Sequence, residues 1–245
     1  MRRLLKRWIY VSVFSPELIL CAGDAHVGRL PQRWWAVARP DGSLHERTTA
    51  RRGGVRVSDR RVSVDAPGLR AELELGDGAP VEAVSPSGAS HIWTRKRAGV
   101  PARGTVCVDG DWQTVDAEAV VDESAGHHER HTSWRWSAGV GRGAAGERVA
   151  WNLVAGIHDA PEGSERAVWV EGEPHEVGPV EFAADLSTVD GLRFTQWSAR
   201  EASTNLLLLL RNRYAQPFGT FSGELPGGPV LSEGYGVMEE HDVVW

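Results

Sequence analysis

The chain reads as an all-β protein of two consecutive antiparallel barrels, residues 1–118 and 119–245, with one large β-sandwich as the alternative. Three observations lead there. Short apolar–polar alternations recur along the whole chain, cut by Gly, Pro and Asp turn signals about every 8–12 residues. No stretch sustains a helical period; the one candidate, Asp116–Asp122, is short and uncapped. Each half offers about eight strands, roughly what a small barrel with room for one ligand requires. No repeat with a period of about 20–50 residues is visible, which argues against a propeller or solenoid.

Trp8–Phe14 alternates as a strand, Ser15-Pro16-Glu17 turns, and Leu18–Ala22 returns. Trp34–Ala38 follows and ends at Pro40-Asp41-Gly42. Val55–Val57, Arg61–Val64 and Leu69–Leu75 are short strands. In the last, Leu69, Ala71, Leu73 and Leu75 share one face and Arg70, Glu72 and Glu74 the other. Val81–Val84, Ser90–Lys96, Gly104–Val108 and Asp111–Val115 come next, with Asp109-Gly110 as a tight hairpin signal.

The second half predicts strands at Glu147–Val154, Ala167–Glu171, Pro179–Ala183, Leu192–Ala199, Asn205–Arg213, Gly219–Leu225 and Glu233–Trp245. Gly139–Gly146 reads as a glycine-rich turn; it lacks the Gly-Lys-Ser/Thr ending of a phosphate loop. Leu206–Leu210 is too short to span a bilayer and reads as a strand buried on both faces. Pro226-Gly227-Gly228-Pro229 breaks the last hairpin.

A chain of 245 residues with 41% hydrophobic and 24% charged residues is typical of a globular protein with a sizeable core. Eleven Trp against three Tyr and five Phe is unusual, and suits apolar ligand walls as well as cores. The net charge of −6 argues against a nucleic-acid partner. Cys21 and Cys107 give neither a disulfide framework nor a zinc knuckle, so a reducing, cytoplasmic setting is expected. The apolar run Trp8–Ala22 is interrupted by Pro16 and Glu17, so no stable membrane insertion is expected.

Chemistry-bearing residues are densest in Asp122–Trp136. If that segment is extended, His127, Glu129 and His131 line one side. A carboxyl between imidazoles suits proton transfer. A metal is not expected, because His127 and His131 would lie about 13 Å apart on a strand. No cofactor and no Gly-x-Ser-x-Gly nucleophile elbow is indicated.

Several stretches resemble the bacterial domain-of-unknown-function family 2804. They are Lys6-Arg7-Trp8-Ile9-Tyr10, Ser15-Pro16-Glu17-Leu18, Asp122-Glu123-Ser124-Ala125-Gly126 and Trp134-Arg135-Trp136-Ser137-Ala138-Gly139. More specific are Pro217-Phe218-Gly219-Thr220-Phe221-Ser222-Gly223, the block Gly234–Asp242, and the terminal Trp245. Family members often carry further N-terminal residues, so a start upstream of Met1 is expected. The resemblance implies two consecutive lipocalin-like antiparallel β-barrels, similar to carotenoid hydratases and tocopherol cyclases. Gly126-His127-His128-Glu129-Arg130-His131 is similar to their Gly-Tyr-His-Asp-His-Asn-Trp signature. Glu129 would take the place of the alkene-protonating Asp, with His127 for the Tyr and the Trp displaced to Trp134.

The expected partner is therefore an apolar small molecule, isoprenoid or polyketide-like. In the first reading the protein hydrates or cyclises it, with Glu129, Asp122 or Glu123 as the acid, its pKa raised by burial. His127, His131, Trp134, Trp136, Trp151, Glu239 and His241 would contact the ligand, and tryptophan faces would stabilise a cation. In the second reading the protein is a non-catalytic carrier or sensor of the same ligand.

Overall fold

The computed structural model describes residues 4–49, 54–206 and 210–244, and among these the fold is all-β without a helix. Ten strands form the first sheet: β1 (Lys6–Phe14), β2 (Ile19–Val27), β3 (Leu30–Ala38), β4 (Leu44–Thr49), β5 (Val55–Val57), β6 (Arg61–Ala66), β7 (Leu69–Leu75), β8 (Pro80–Ser87), β9 (Ser90–Val108) and β10 (Asp111–Gly126). Their order is β4-β3-β2-β1-β10-β9-β7-β6-β5, and β8 lies along the first half of β9.

The second sheet contains β11 (His131–Gly143), β12 (Arg148–Ala155), β13 (Ala167–Val170), β14 (Glu173–Glu176), β15 (Thr188–Val189), β16 (Leu192–Leu206), β17 (Leu210–Glu224) and β18 (Val230–Val244). Its order is β14-β13-β12-β11-β18-β17-β16-β15, and every pairing in both sheets is antiparallel.

Each sheet curls around an apolar core of its own, and a third core lies between them. Inside the first sheet, Val11 and Val13 of β1, Leu20 of β2, Trp35 of β3, Val55 of β5 and Leu73 of β7 share one cluster. The far edge strand β5 is thereby wrapped over β1–β3, although β4 and β5 share no ladder among the described residues. Inside the second sheet, Trp151, Leu153, Leu192, Phe221 and Met238 meet Val177, Val180 and Leu186, which fill the space between edge strands β14 and β15.

The third core uses the opposite faces of the same strands: Tyr10, Phe14, Cys21 and Val120 from one side, Trp136, Ala138, Trp169, Phe218 and Val237 from the other. Because successive side chains alternate, β1 and β11 are buried on both faces. β9 changes faces partway. Gly99, with φ +69, is an extra residue between the pairs Ala98↔Val120 and Val100↔Ala119. Ala98 therefore joins the inter-sheet core and Val100 the interior core.

Some expectations need correction. Asp116–Asp122 is the middle of β10, not a helix; with both faces covered its alternation is blurred. Ser90–Lys96 and Gly104–Val108 are one strand joined through the bulge. Asn205–Arg213 is not one strand, since Leu206 and Leu210 are register partners on β16 and β17; Leu207–Leu209 lie outside the described residues. Gly139 and Gly141 sit inside β11, where a Cβ on Gly139 would come within 2.4 Å of the Trp151 ring. Asp122–Trp136 is not one extended segment, because β10 ends at Gly126 and β11 begins at His131.

Candidate functional site

The inter-sheet layer is apolar at one end and polar further along the same strands. On β18 the layer-facing series is Val237, Glu239, His241; on β17 it is Phe218, Gln216, Tyr214, Asn212; on β9 it is Ala98, Lys96. Period-two placement thus brings a set of polar side chains from both sheets onto one buried layer.

Glu239 is the centre of one group. Its Oε1 accepts from Trp134 Nε1 at 2.8 Å, and its Oε2 accepts from Tyr214 OH and Gln216 Nε2, both at 3.1 Å. Gln216 also donates to Tyr10 OH at 3.2 Å, linking the group to the first sheet. Burial pushes the Glu239 carboxyl up to about 7, against the opposing pull of the Trp134 and Tyr214 hydrogen bonds; Asp122 nearby raises it further. Glu239, Tyr214, Trp134, His241, Trp34 and Trp8 are half-buried, so this part of the layer reaches solvent. His241 Nε2 pairs with Asn212 Oδ1 at 2.6 Å, its ring lies 4.4 Å from Trp134, and burial pushes it down to about 4.

Lys96 is the centre of a second group. Its Nζ lies 2.5 Å from Asp122 Oδ1 and 3.3 Å from Glu165 Oε1, and 5.8 Å from the Trp136 ring centroid. Burial works to lower its pKa, but Asp122 and Glu165 outweigh this and hold it above its ordinary value. Trp8 Nε1 donates to the other Asp122 oxygen at 3.2 Å. His158 stands beside this pair. Its Nδ1 is 2.8 Å from Ser85 Oγ, and burial, with Lys96, pushes it down to about 4. His128 packs on Trp8 at 5.0 Å and is pushed down to about 3 by burial and Lys6. Both histidines are therefore neutral at physiological pH.

Of the residues singled out from the sequence, Asp122, Trp134, Trp136, Glu239 and His241 come together in this layer. Trp136 is buried there, with its Nε1 on Asn152 Oδ1 at 2.7 Å. The others lie elsewhere. Glu129 is exposed in the connection between the sheets, without the burial that an acid role asks of it. Glu123, one residue from Asp122, points to the opposite face, 3.9 Å from Arg95, and burial raises its pKa. His131 is exposed beside Asp242 at 3.2 Å. His127 is half-buried, and its carbonyl accepts from Ser87 Oγ at 3.0 Å. Trp151 belongs to the interior of the second sheet, where it bonds Ser137 Oγ at 3.0 Å and packs on Phe221. Among the described residues no three His, Cys, Asp or Glu side chains form a metal-ligand set.

Sequence reasoning missed Lys96, Glu165, His158, Tyr10, Tyr214 and Gln216. One signal was available. Lys6 and Lys96 are the only lysines in an arginine-rich chain, and both are buried. Arginine supplies the surface cations here, so lysine marks places that take a compact cation.

The fold recurs in solved structures. A protein assigned as AttH from Nitrosomonas europaea matches with a TM-score of 0.58 at 13% identity, covering 97% of this chain and 92% of that one. Kievitone hydratase from Nectria haematococca matches with a TM-score of 0.60 at 11% identity, over 98% and 88%. CghA matches with a TM-score of 0.55 at 9% identity, over 99% and 88%. At such identities the likeness is one of fold, the lipocalin-like double-sheet fold that these proteins share. No curated protein sequence matches the chain. Among the described residues no helix is long and apolar enough to cross a membrane. The fold agrees with the resemblance in the sequence motifs, and a family model covers residues 39–245: the chain belongs to the family described as Domain of unknown function (DUF2804).

Proposed function

We propose that this protein takes an apolar small molecule, isoprenoid or polyketide-like, between its two sheets and hydrates or cyclises it by acid catalysis, with Glu239 as the acid. The observation that carries this reading is the state of Glu239: half-buried, held by three donors, and raised to about 7. An acid with a pKa near the working pH is present in both forms and can give and regain a proton. Trp134, Trp136, Tyr10 and Trp34 supply an apolar, π-rich surround that favours a transient cation over water. The kinship of fold with a hydratase supports the reaction class as analogy only. The reading includes a reducing, cytoplasmic setting, supported by two free, buried cysteines, and no nucleic-acid or membrane partner.

The test is native mass spectrometry of the protein from its own host's lysate, wild type beside Glu239→Gln. Glutamine keeps the shape and loses the proton. A metabolite held by the variant that differs chemically from the one held by wild type supports catalysis at Glu239. The same unaltered apolar metabolite in both makes the protein a carrier.

A further inference from the structure

The Lys96 group has features that the Glu239 reading does not use. His158 and Glu165 are carried by the connection between β12 and β13 and are brought against the first sheet by a fixed scaffold. Arg166, fully buried, donates to the carbonyls of Asp159 at 2.9 Å, Ala160 at 2.6 Å and Val177 at 3.4 Å. Glu165 N donates to His158 O at 3.2 Å, Asn152 Nδ2 to Glu165 O at 2.8 Å, and Gly156 N to Asp159 Oδ2 at 2.7 Å. His158 itself has φ +53, a left-handed conformation that costs a non-glycine residue energy and persists only where its surroundings impose it.

This rigid connection leaves two buried polar atoms without a hydrogen-bond partner: His158 Nε2 and Glu165 Oε2. The residues are 6% and 2% exposed. Glu165 binds Lys96 through its other oxygen, and His158 lies close enough to feel both Lys96 and Asp122. Orphaned polar atoms are costly in a protein interior, and two beside one buried cation are unusual unless a guest meets them. At the outer edge Asp122, 13% exposed in its side chain, and half-buried Trp8 connect the group to solvent.

We propose that His158 Nε2 and Glu165 Oε2, with Lys96, form a polar subsite that recognises a hydroxyl group on an otherwise apolar ligand. The inference rests on the reading that an apolar molecule enters the inter-sheet layer. A hydroxyl both donates and accepts. It can donate to the Glu165 oxygen while accepting from Lys96, or from His158 in its Nε2–H tautomer. An ether or ketone oxygen only accepts and leaves Glu165 Oε2 unpaired; a plain hydrocarbon leaves both atoms unpaired. The ligand class is thus narrowed from hydrocarbon to alcohol or phenol.

Three probes of one carbon skeleton test this: geraniol, geranyl methyl ether and the hydrocarbon myrcene, titrated into the full-length protein by tryptophan fluorescence. Geraniol is expected to bind about tenfold more tightly than the ether, the size of one hydrogen bond to a charged group. His158→Asn, in which asparagine tolerates the left-handed backbone, and Glu165→Gln are each expected to reduce that preference to threefold or less. In wild type, geraniol and not myrcene is expected to shift the ¹⁵N signals of the His158 ring, a readout that stands even where a variant folds poorly. Equal binding of all three probes, or unmoved His158 signals at saturating geraniol, overturns the subsite and leaves the apolar-ligand reading intact. No binding of any probe to wild type overturns both.

Discussion

Glu239 and Lys96 sit on neighbouring parts of one layer, and burial acts against the charge of each. For Lys96 two carboxylates compensate; Glu239 has neutral donors only, so its carboxyl is raised to about 7 from an ordinary 4.5. A raised carboxylate favours folding when protonated. Its contribution is complete below pH 4.5 and lost as pH rises through 7, at most about 3 kcal/mol. Glu239→Gln is therefore expected to melt with less change between pH 5 and pH 8 than wild type; parallel curves would remove the case for a perturbed Glu239. Any acid-catalysed turnover should likewise fall above pH 7 as the proton is lost. Lys96→Met leaves Asp122 and Glu165 facing each other without their cation, and an expected cost of about 3–5 kcal/mol, read by urea unfolding. At this scale the sequence was half legible. Glu239, Trp134 and His241 could be marked by type and clustering. Glu165 and His158 could not, because the groups they meet, Lys96 and Ser85, are far off in the chain.

Strand by strand, the alternation was readable where one face meets solvent. β7 is the clear case, with Leu69, Ala71, Leu73 and Leu75 buried and the charged residues between them out. It was unreadable where both faces are covered, as in the middle of β10, which offered only a short, uncapped helix candidate and no clear strand alternation. Two glycines separate two kinds of constraint. At Gly99 an alanine Cβ would lie 3.6 Å from Ala150, ordinary contact, so the cost of Gly99→Ala is backbone strain of about 1–2 kcal/mol. At Gly139 an alanine Cβ would meet Trp151 and the Tyr235 carbonyl at 2.4 Å, and overpacking adds up to about 3 kcal/mol. Gly139→Ala is expected to lower the melting temperature more than Gly99→Ala; the reverse order would contradict this division.

For the molecule as a whole the inter-sheet core has the greatest consequence. Neither sheet covers its own outer face: Tyr10, Phe14 and Val120 need Trp136, Phe218 and Val237 as much as the reverse. Arg200 of β16 adds a clamp, 2.6 Å from Glu46 and 3.2 Å from Thr48 on β4, with its guanidinium 5.7 Å from the Tyr214 ring. Calorimetry is expected to show one transition, not two, because exposing this layer destabilises both halves together. Trp136→Ala should cost about 3–5 kcal/mol and lower hydrogen-exchange protection in β1 and β10 as well as in β11. Protection lost in the second sheet alone would mean that the halves are stable separately.

The sequence by itself determined the all-β class, most strand positions and the motifs of the family, because alternation, turn residues and short sequence motifs are local properties of the chain. It also marked Glu239, Trp134 and Trp136 as residues of interest. Only the tertiary structure decided that the second sheet covers the face of Asp122 and not that of Glu123, that Glu129 is exposed, and that Lys96 meets both Asp122 and Glu165. Those facts depend on which face of each strand the other sheet covers. Strand period gives the two faces of a strand; the partner packed against it decides which one is buried.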